Sequence, residues 1–177
     1  MKDFLTQIKI GLEQNLYFLS LFAALTIPDI CSAMESEDGL TTGNKYKNWF
    51  DKYMVKNEPE KYGTGKNFTS DDCWNFRCAI LHQGRSNHEK SDYKRILFIE
   101  PPNLHGIGSI HACIVGAYTE EKSLLINVEK FCFDIIKSAN EWMRENENSD
   151  IYKKNYQNLI KRYPKGIKPV LGCSVIG

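Results

Sequence analysis

The sequence has almost no excess of charge of either sign. Its 177 residues include 23 Lys and Arg and 22 Asp and Glu, which leaves a formal net charge of +1 and an isoelectric point near 7.6. Proteins that bind nucleic acid tightly and without sequence preference usually carry a strongly basic surface. The composition excludes that class, so any contact with RNA has to be local.

Paired cysteines are also missing. The six cysteines, at positions 31, 73, 78, 113, 132 and 173, include no CxxC pair and form no compact secreted framework. We therefore expect reduced thiols, a cytoplasmic location, and no metal or cofactor. A zinc ion bound by Cys78 and His82, with Cys73 or His88, is an alternative, but that spacing matches no common zinc pattern.

No apolar run is long enough to span a membrane. The longest, from Leu16 to Ile27, has about a dozen residues, whereas a bilayer requires roughly 20. Acidic and amide residues interrupt the segment before it, which argues against a secretion signal. We interpret the run as part of a buried helix and expect no membrane association.

The sequence does contain apolar residues at helical spacing. The first such stripe begins at Phe4 and predicts one helix that ends near Pro28. The second half of this helix is apolar all round. Since a helix without a polar face has to be covered on every side, we expect the core or a second subunit to cover it.

Two further helices are predicted in the next part of the chain. An aromatic stripe over 46–54 predicts a helix that ends before Pro59. Thr69 and Asp72 then have the spacing of a capping box, which predicts the start of a third helix that ends at Gly84.

A small β element is expected over about 94–126. Three short runs within it, at 95–99, 110–115 and 124–126, are rich in β-favouring residues and predict a hairpin or small sheet. His105 and His111 flank a glycine-rich turn in this region, and we assign them no role.

Two helices are predicted after the β element. Asn127 can cap the first of them, and the residues from 128 to 143 form the clearest 3.6-residue stripe in the chain. Asp150 can cap a final helix that reaches Tyr163 and ends at Pro164. With 42% apolar residues the chain has enough material for one core. We predict one mainly α-helical domain over 1–177, with a helical core over 1–163 and a tail over 164–177.

The stretch FRCAILHQG, from Phe76 to Gly84, is the only part of the sequence that suggests chemistry. It places Arg77 and His82 five residues apart. Five residues turn through roughly 140° on a helix, so the two side chains are not expected to stack on one stripe. A site formed by one helix alone would be poor, whereas two helices related by a twofold axis could surround one phosphate.

With this motif, the long apolar first helix and the segment LLINVEKFCFDIIKSANEWM, the chain resembles the HEPN family. Members are compact helical bundles, and many are metal-independent RNases that combine an Arg-x4–6-His motif from two subunits. The resemblance implies a homodimeric endoribonuclease in which Arg77 and His82 are catalytic. Cys78, Gln83 and Arg85 are then candidate substrate contacts.

The chain departs from the family pattern at two positions. Cys78 follows the arginine, where the family often has a polar residue. Gly84 stands two positions beyond the histidine, where HEPN toxins with a nucleotidyltransferase antitoxin commonly have Tyr, which argues against that form of regulation. A non-catalytic HEPN-like module that binds RNA, a nucleotide or a protein is the alternative.

A structural interpretation of the same residues is also open. Arg77 can pair with an acid such as Asp72 or Glu141, and His82 suits the C-terminal turn of a helix, where positive charge is favoured. Lysines around the second helix and basic residues near the C-terminus, including Lys153, Lys161 and Arg162, could hold single-stranded RNA. Such residues more often form a solvated surface.

Overall fold

A computed structural model describes residues 1–101 and 110–177. About half of the chain is helical, which confirms the predicted mainly α-helical protein. The α-helices of the described residues are α1 (Lys2–Glu13), α2 (Tyr17–Met34), α3 (Gly43–Trp49), α4 (Ser70–Gln83), α5 (Val128–Asn146) and α6 (Asp150–Tyr156). A π-helical turn, Phe50–Val55, continues α3.

The predicted small sheet is present. It has three strands, β1 (Arg95–Ile99), β2 (Cys113–Val115) and β3 (Ser123–Asn127), in the order β1-β3-β2. β3 is central, because β1 pairs with it in parallel and β2 pairs with it in antiparallel. The second strand is shorter than the predicted run over 110–115, and residues 102–109, including His105, lie outside the described residues.

The prediction of one continuous first helix is wrong. α1 ends before Asn15, whose φ of 58° places it in the left-handed region, and α2 packs back against α1. Gly11 permits this close approach, since a Cβ built there would lie 2.4 Å from Ser20 Oγ. The apolar spacing continues across the break, because both helices bury a face in the same core, and so the pattern did not reveal the turn.

The prediction that the helix ends near Pro28 is also wrong. α2 continues through Pro28 to Met34, although proline removes a backbone donor from the helix interior. Ile27 and Cys31 on either side of it are fully buried, and this burial holds the helix together. At 18 residues and a mean hydropathy of 1.5, α2 has the length and composition of a membrane span, yet 56% of it is buried.

α4 and α5 have the predicted signals at their ends. The Thr69 hydroxyl accepts from the Asp72 backbone N–H, and the Asp72 carboxylate accepts from the Thr69 backbone N–H, which completes the capping box. Gly84 ends α4 in the left-handed conformation. The Asn127 side chain caps α5 by accepting from the Lys130 backbone N–H, and the predicted apolar stripe of α5 is buried.

The last part of the chain differs from the prediction. α6 is capped by Ser149 rather than Asp150 and ends at Tyr156, well before Pro164. The residues predicted as a tail, together with the last two residues of the predicted final helix, form two short antiparallel ladders, β4 (Arg162–Tyr163) with β7 (Val175–Ile176) and β5 (Gly166–Ile167) with β6 (Val170–Leu171). Two-residue strands are too short to produce an alternating apolar pattern, and so the sequence did not predict them.

Asn155 of α6 secures the C-terminal end of α2. Its side-chain amide nitrogen lies 3.3, 3.0 and 2.7 Å from the carbonyl oxygens of Ala33, Met34 and Ser36. The last carbonyls of a helix have no partner within the helix, and this buried amide supplies one. α6 is therefore held against α2 by hydrogen bonds to the backbone.

We predict that Asn155→Ala destabilises the protein by about 1–3 kcal/mol, because it leaves the buried Met34 carbonyl with no other donor among the described residues. Urea unfolding followed by circular dichroism measures this change in the free energy of unfolding. Asn158→Ala, at an exposed position in the turn after α6, is the matched control. Equal stability of the two variants would show that the Asn155 hydrogen bonds do not hold α6 in place.

Candidate functional site

Arg77 and His82 lie on the second half of α4. The capping box at Thr69 and the left-handed Gly84 fix the two ends of this helix. The arginine side chain is largely covered, with 17% of its surface exposed, and its guanidinium carbon lies 5.3 Å from the centre of the Trp74 ring. His82 is exposed in the last turn, as its position before the glycine predicts.

The two side chains meet within one chain, although their positions on the helix do not fall on one stripe. Arg77 Nη1 lies 2.7 Å from His82 Nε2. The two positions differ in direction by roughly 140° around the helix. The arginine side chain is long enough to bend along the helix toward its C-terminus and reach the histidine. Since a guanidinium only donates hydrogen bonds, Nε2 accepts, and His82 is the neutral tautomer with its proton on Nδ1.

A carboxylate of α2 orients the guanidinium. Arg77 Nε donates to Asp29 Oδ2 at 2.8 Å, and only 10% of the Asp29 side chain is exposed. Burial raises the pKa of Asp29, although the charge of Arg77 and its hydrogen bond act in the opposite direction. Burial lowers the pKa of Arg77, but the interaction with Asp29 outweighs it and leaves this pKa above its ordinary value.

Asp29 is not one of the acids that the structural interpretation named. Asp72 is occupied by the capping box of α4, and Glu141 pairs with Lys56 at 2.6 Å. Asp29 is 48 residues from Arg77 in the chain, and no spacing rule connects such distant positions. The other oxygen of its carboxylate, Oδ1, is buried without a hydrogen-bond partner among the described residues.

Two of the three predicted substrate contacts lie at the end of α4, and the third lies within the helix. Cys78 is half-buried directly after Arg77, whereas Gln83 and Arg85 are exposed on either side of Gly84. The backbone N–H groups of Gly84 and Arg85 donate to the carbonyls of Ile80 and Ala79, which closes the helix. Gln83 and Arg85 therefore emerge from a fixed turn beside His82.

No protein-family model, curated protein or solved structure matches this chain. Within residues 1–101 and 110–177, no group of three or more His, Cys, Asp or Glu side chains is arranged to hold a metal ion.

A second cluster of ionisable groups, which the sequence did not indicate, lies in the core beside the sheet. The Tyr62 hydroxyl lies 2.8 Å from Asp134 Oδ2 and 2.9 Å from His111 Nε2. On the other side of the imidazole, the backbone N–H of Asn127 donates to His111 Nδ1 at 3.2 Å. The cluster joins residues 49 and 72 positions apart, which explains why spacing did not reveal it.

The hydrogen bonds fix the direction of donation through this cluster. Because Nδ1 of His111 accepts, the proton is on Nε2 and is donated to Tyr62, which donates its own proton to Asp134. Burial and the nearby Lys61 and Lys130 lower the pKa of His111 to about 4. The imidazole is therefore neutral at pH 7 and connects the sheet to α5 as a structural element.

We predict that Asp29→Asn lowers the free energy of unfolding by about 2 kcal/mol, because it leaves the covered guanidinium of Arg77 without a countercharge. Glu60→Gln is the matched control, since Glu60 pairs with Lys66 but is 90% exposed, and we expect a change below about 0.5 kcal/mol. Chemical unfolding at pH 7 measures both. If the two variants lose the same stability, Asp29 does not hold Arg77 in the way that the geometry indicates.

We also predict that His111 makes the protein less stable in acid. Its pKa is about 4 when folded and about 6.5 when unfolded, so the unfolded chain binds more protons between these values. Stability is then lost as the pH falls from about 6.5 to 4, by up to about 3 kcal/mol. Free energies of unfolding measured across this pH range give the slope of stability against pH.

His111→Asn isolates this contribution. Asparagine keeps an acceptor for the Asn127 N–H but does not titrate. Burial raises the pKa of Asp134, which favours the folded state in acid, and this opposing effect remains in the variant. The variant should therefore lose less stability than the wild type over the same range. An identical slope would contradict the lowered pKa of His111.

Proposed function

We propose that this protein is a HEPN-like endoribonuclease that cleaves RNA through attack of a 2′-hydroxyl on the adjacent phosphate. The contact between Arg77 Nη1 and His82 Nε2 at the exposed end of α4 is the observation that carries the proposal. The mainly helical fold is compatible with it. No step of this reaction requires a metal ion, because the two side chains supply the proton transfer and the charge.

His82 is the general base in this proposal. It is exposed, neutral in the observed geometry, and located where a phosphodiester can reach it. A neutral imidazole has a lone pair on one ring nitrogen, so it can take the proton of the 2′-hydroxyl as the oxygen attacks phosphorus. The bond between phosphorus and the 5′-oxygen then breaks, and the protonated His82 returns its proton to that oxygen, which leaves a 2′,3′-cyclic phosphate and a 5′-hydroxyl.

Arg77 stabilises the charge that develops on the phosphoryl oxygens. A guanidinium has five N–H groups, of which one is directed to Asp29 and one to His82. The remaining donors, on Nη1 and Nη2, can bind phosphate oxygens while Asp29 fixes the Nε side of the group. Asp29 is thus a positioning residue.

Substrate binding has to release His82 from Arg77. In the structure the lone pair of His82 Nε2 is occupied by the Arg77 donor, so the base is blocked while the site is empty. A phosphate attracts the guanidinium more strongly than a neutral imidazole does, because the phosphate is itself charged and can accept two parallel N–H bonds from the guanidinium. Phosphate binding therefore frees the base at the point where it is needed.

An exposed apolar surface supports the homodimer in this proposal. Leu16, Phe18 and Leu19 at the start of α2 are 49%, 72% and 65% exposed. Phe18 and Asp29 differ in direction by only about 20° around α2 and lie about 16 Å apart along it. A second copy that covers this surface would therefore lie on the side of α2 that faces the Arg77 site.

The second candidate is a non-catalytic module that binds RNA, a nucleotide or a protein partner. The ion pair with Asp29 favours it, because a guanidinium that is already paired and 17% exposed has a structural role without any substrate. The two candidates differ in one respect that can be measured. An RNase releases products, whereas a binding module retains its partner unchanged.

We predict that the purified protein cleaves a mixed RNA pool in the presence of EDTA and leaves 2′,3′-cyclic phosphate ends. His82→Asn should lower the cleavage rate at least about 100-fold, because it removes the base and keeps a polar side chain of similar size. Denaturing gel electrophoresis measures cleavage. Direct labelling of the new 5′-hydroxyl ends, and resistance of the 3′ ends to phosphatase, identify the two products.

The matched control is His88→Asn, in the loop after α4, where the His88 ring accepts from the Lys90 backbone N–H. We expect it to cleave like the wild type. Equal activity of His82→Asn and wild type would exclude the assigned base. A folded wild type that binds RNA but never cleaves it would instead support the binding module.

A further inference from the structure

A surface cavity lies at the opposite end of α5 from the sheet. It is enclosed by the start of α1, the end of α5, α6 and the paired strands β4 and β7, and its volume is about 800 Å³. Cavities that bind small molecules usually measure about 300–1,000 Å³. Neither Arg77 nor His82 lines it, so it is separate from the proposed RNase site.

Positive charge predominates in the lining. Among the side chains, Lys2, Lys153, Lys161 and Arg162 outnumber the two acids, Asp3 and Glu147. Among the described residues none of these four cations forms an ion pair, whereas Lys45, Lys47 and Lys56 of the second predicted helix each pair with an acid. The lining therefore has cations available for an anionic ligand.

The cavity also has an apolar wall. Tyr152 and Tyr156 stack with ring centres 5.6 Å apart and planes inclined by 17°. Tyr156 and Ile160 remain 37% and 66% exposed. A ligand with an apolar body would cover this surface and remove it from water, which is favourable. The Lys161 ammonium lies 4.2 Å from the centre of the Tyr156 ring, where the charged and apolar parts of the cavity meet.

From this arrangement we infer that the cavity binds a small organic phosphate with a flat apolar body, of the class of a nucleoside monophosphate. A phosphate monoester carries a charge near −2 at pH 7, which the excess of positive charge in the lining attracts. Lys161 exchanges its contact with the Tyr156 ring for the phosphate, since a cation–π contact at an exposed site is weaker than a charge-assisted hydrogen bond. The ring is then free to stack on the base.

Calorimetric titration of the full chain with AMP tests the inference. We expect a dissociation constant below about 1 mM, and binding at least about tenfold weaker for adenosine and for inorganic phosphate, because each offers only one half of the ligand. Lys161→Gln combined with Arg162→Gln should weaken AMP binding at least about tenfold. Tyr156→Ala should weaken AMP binding but leave phosphate binding unchanged.

Two controls distinguish this cavity from other sites. Lys165→Gln combined with Lys168→Gln removes two exposed cations that do not line the cavity, and AMP binding should be unchanged. His82→Asn should also bind AMP like the wild type, even if it no longer cleaves RNA. Loss of AMP binding in His82→Asn would place the nucleotide at the Arg77 site and overturn the inference. No saturable binding of AMP, or equal binding of AMP and phosphate, would overturn it as well.

Discussion

Helix α2 has almost no polar face, and the rest of the fold is arranged to cover it beyond its exposed first turn. α1, α3, α4, α5 and α6 all contact α2, so it occupies the centre of the helical part of the molecule. Its one charged residue is Asp29, which the surrounding helices remove from water. A buried carboxylate without a countercharge is costly, and this constraint requires a cation from a neighbouring helix.

Arg77 of α4 supplies that cation, and the geometry of a guanidinium then determines the candidate site. The group is planar and its donors point in fixed directions. Once Nε is bound to Asp29 and the plane lies against Trp74, the Nη1 donor is directed toward the C-terminal end of α4, where His82 lies. The need to neutralise a charge in α2 thus places a cation beside an exposed imidazole.

Much of the local structure could be predicted from neighbouring residues. The capping box at Thr69, the left-handed Gly84, the Asn127 cap and the apolar stripe of α5 were all predicted and are present. Each depends on side chains within a few positions of one another, where spacing in the sequence is spacing in the helix. The sequence did not predict the break at Asn15, because the apolar spacing continues across it, or the continuation through Pro28, where burial in the core overrode the local preference.

The contacts of the functional residues could not be predicted from spacing in the sequence, because their partners are distant in the chain. The sequence determined that Arg77 and His82 share a helix, that His82 lies in its last turn, and that α2 has to be covered on every side. Only the tertiary structure decided that Asp29 pairs with Arg77, that Tyr62, His111 and Asp134 form one cluster, and that the C-terminal cations surround a cavity. The physical reason is that hydrogen bonds and charges act over a few ångströms, and the packing of the helices decides which distant residues come that close.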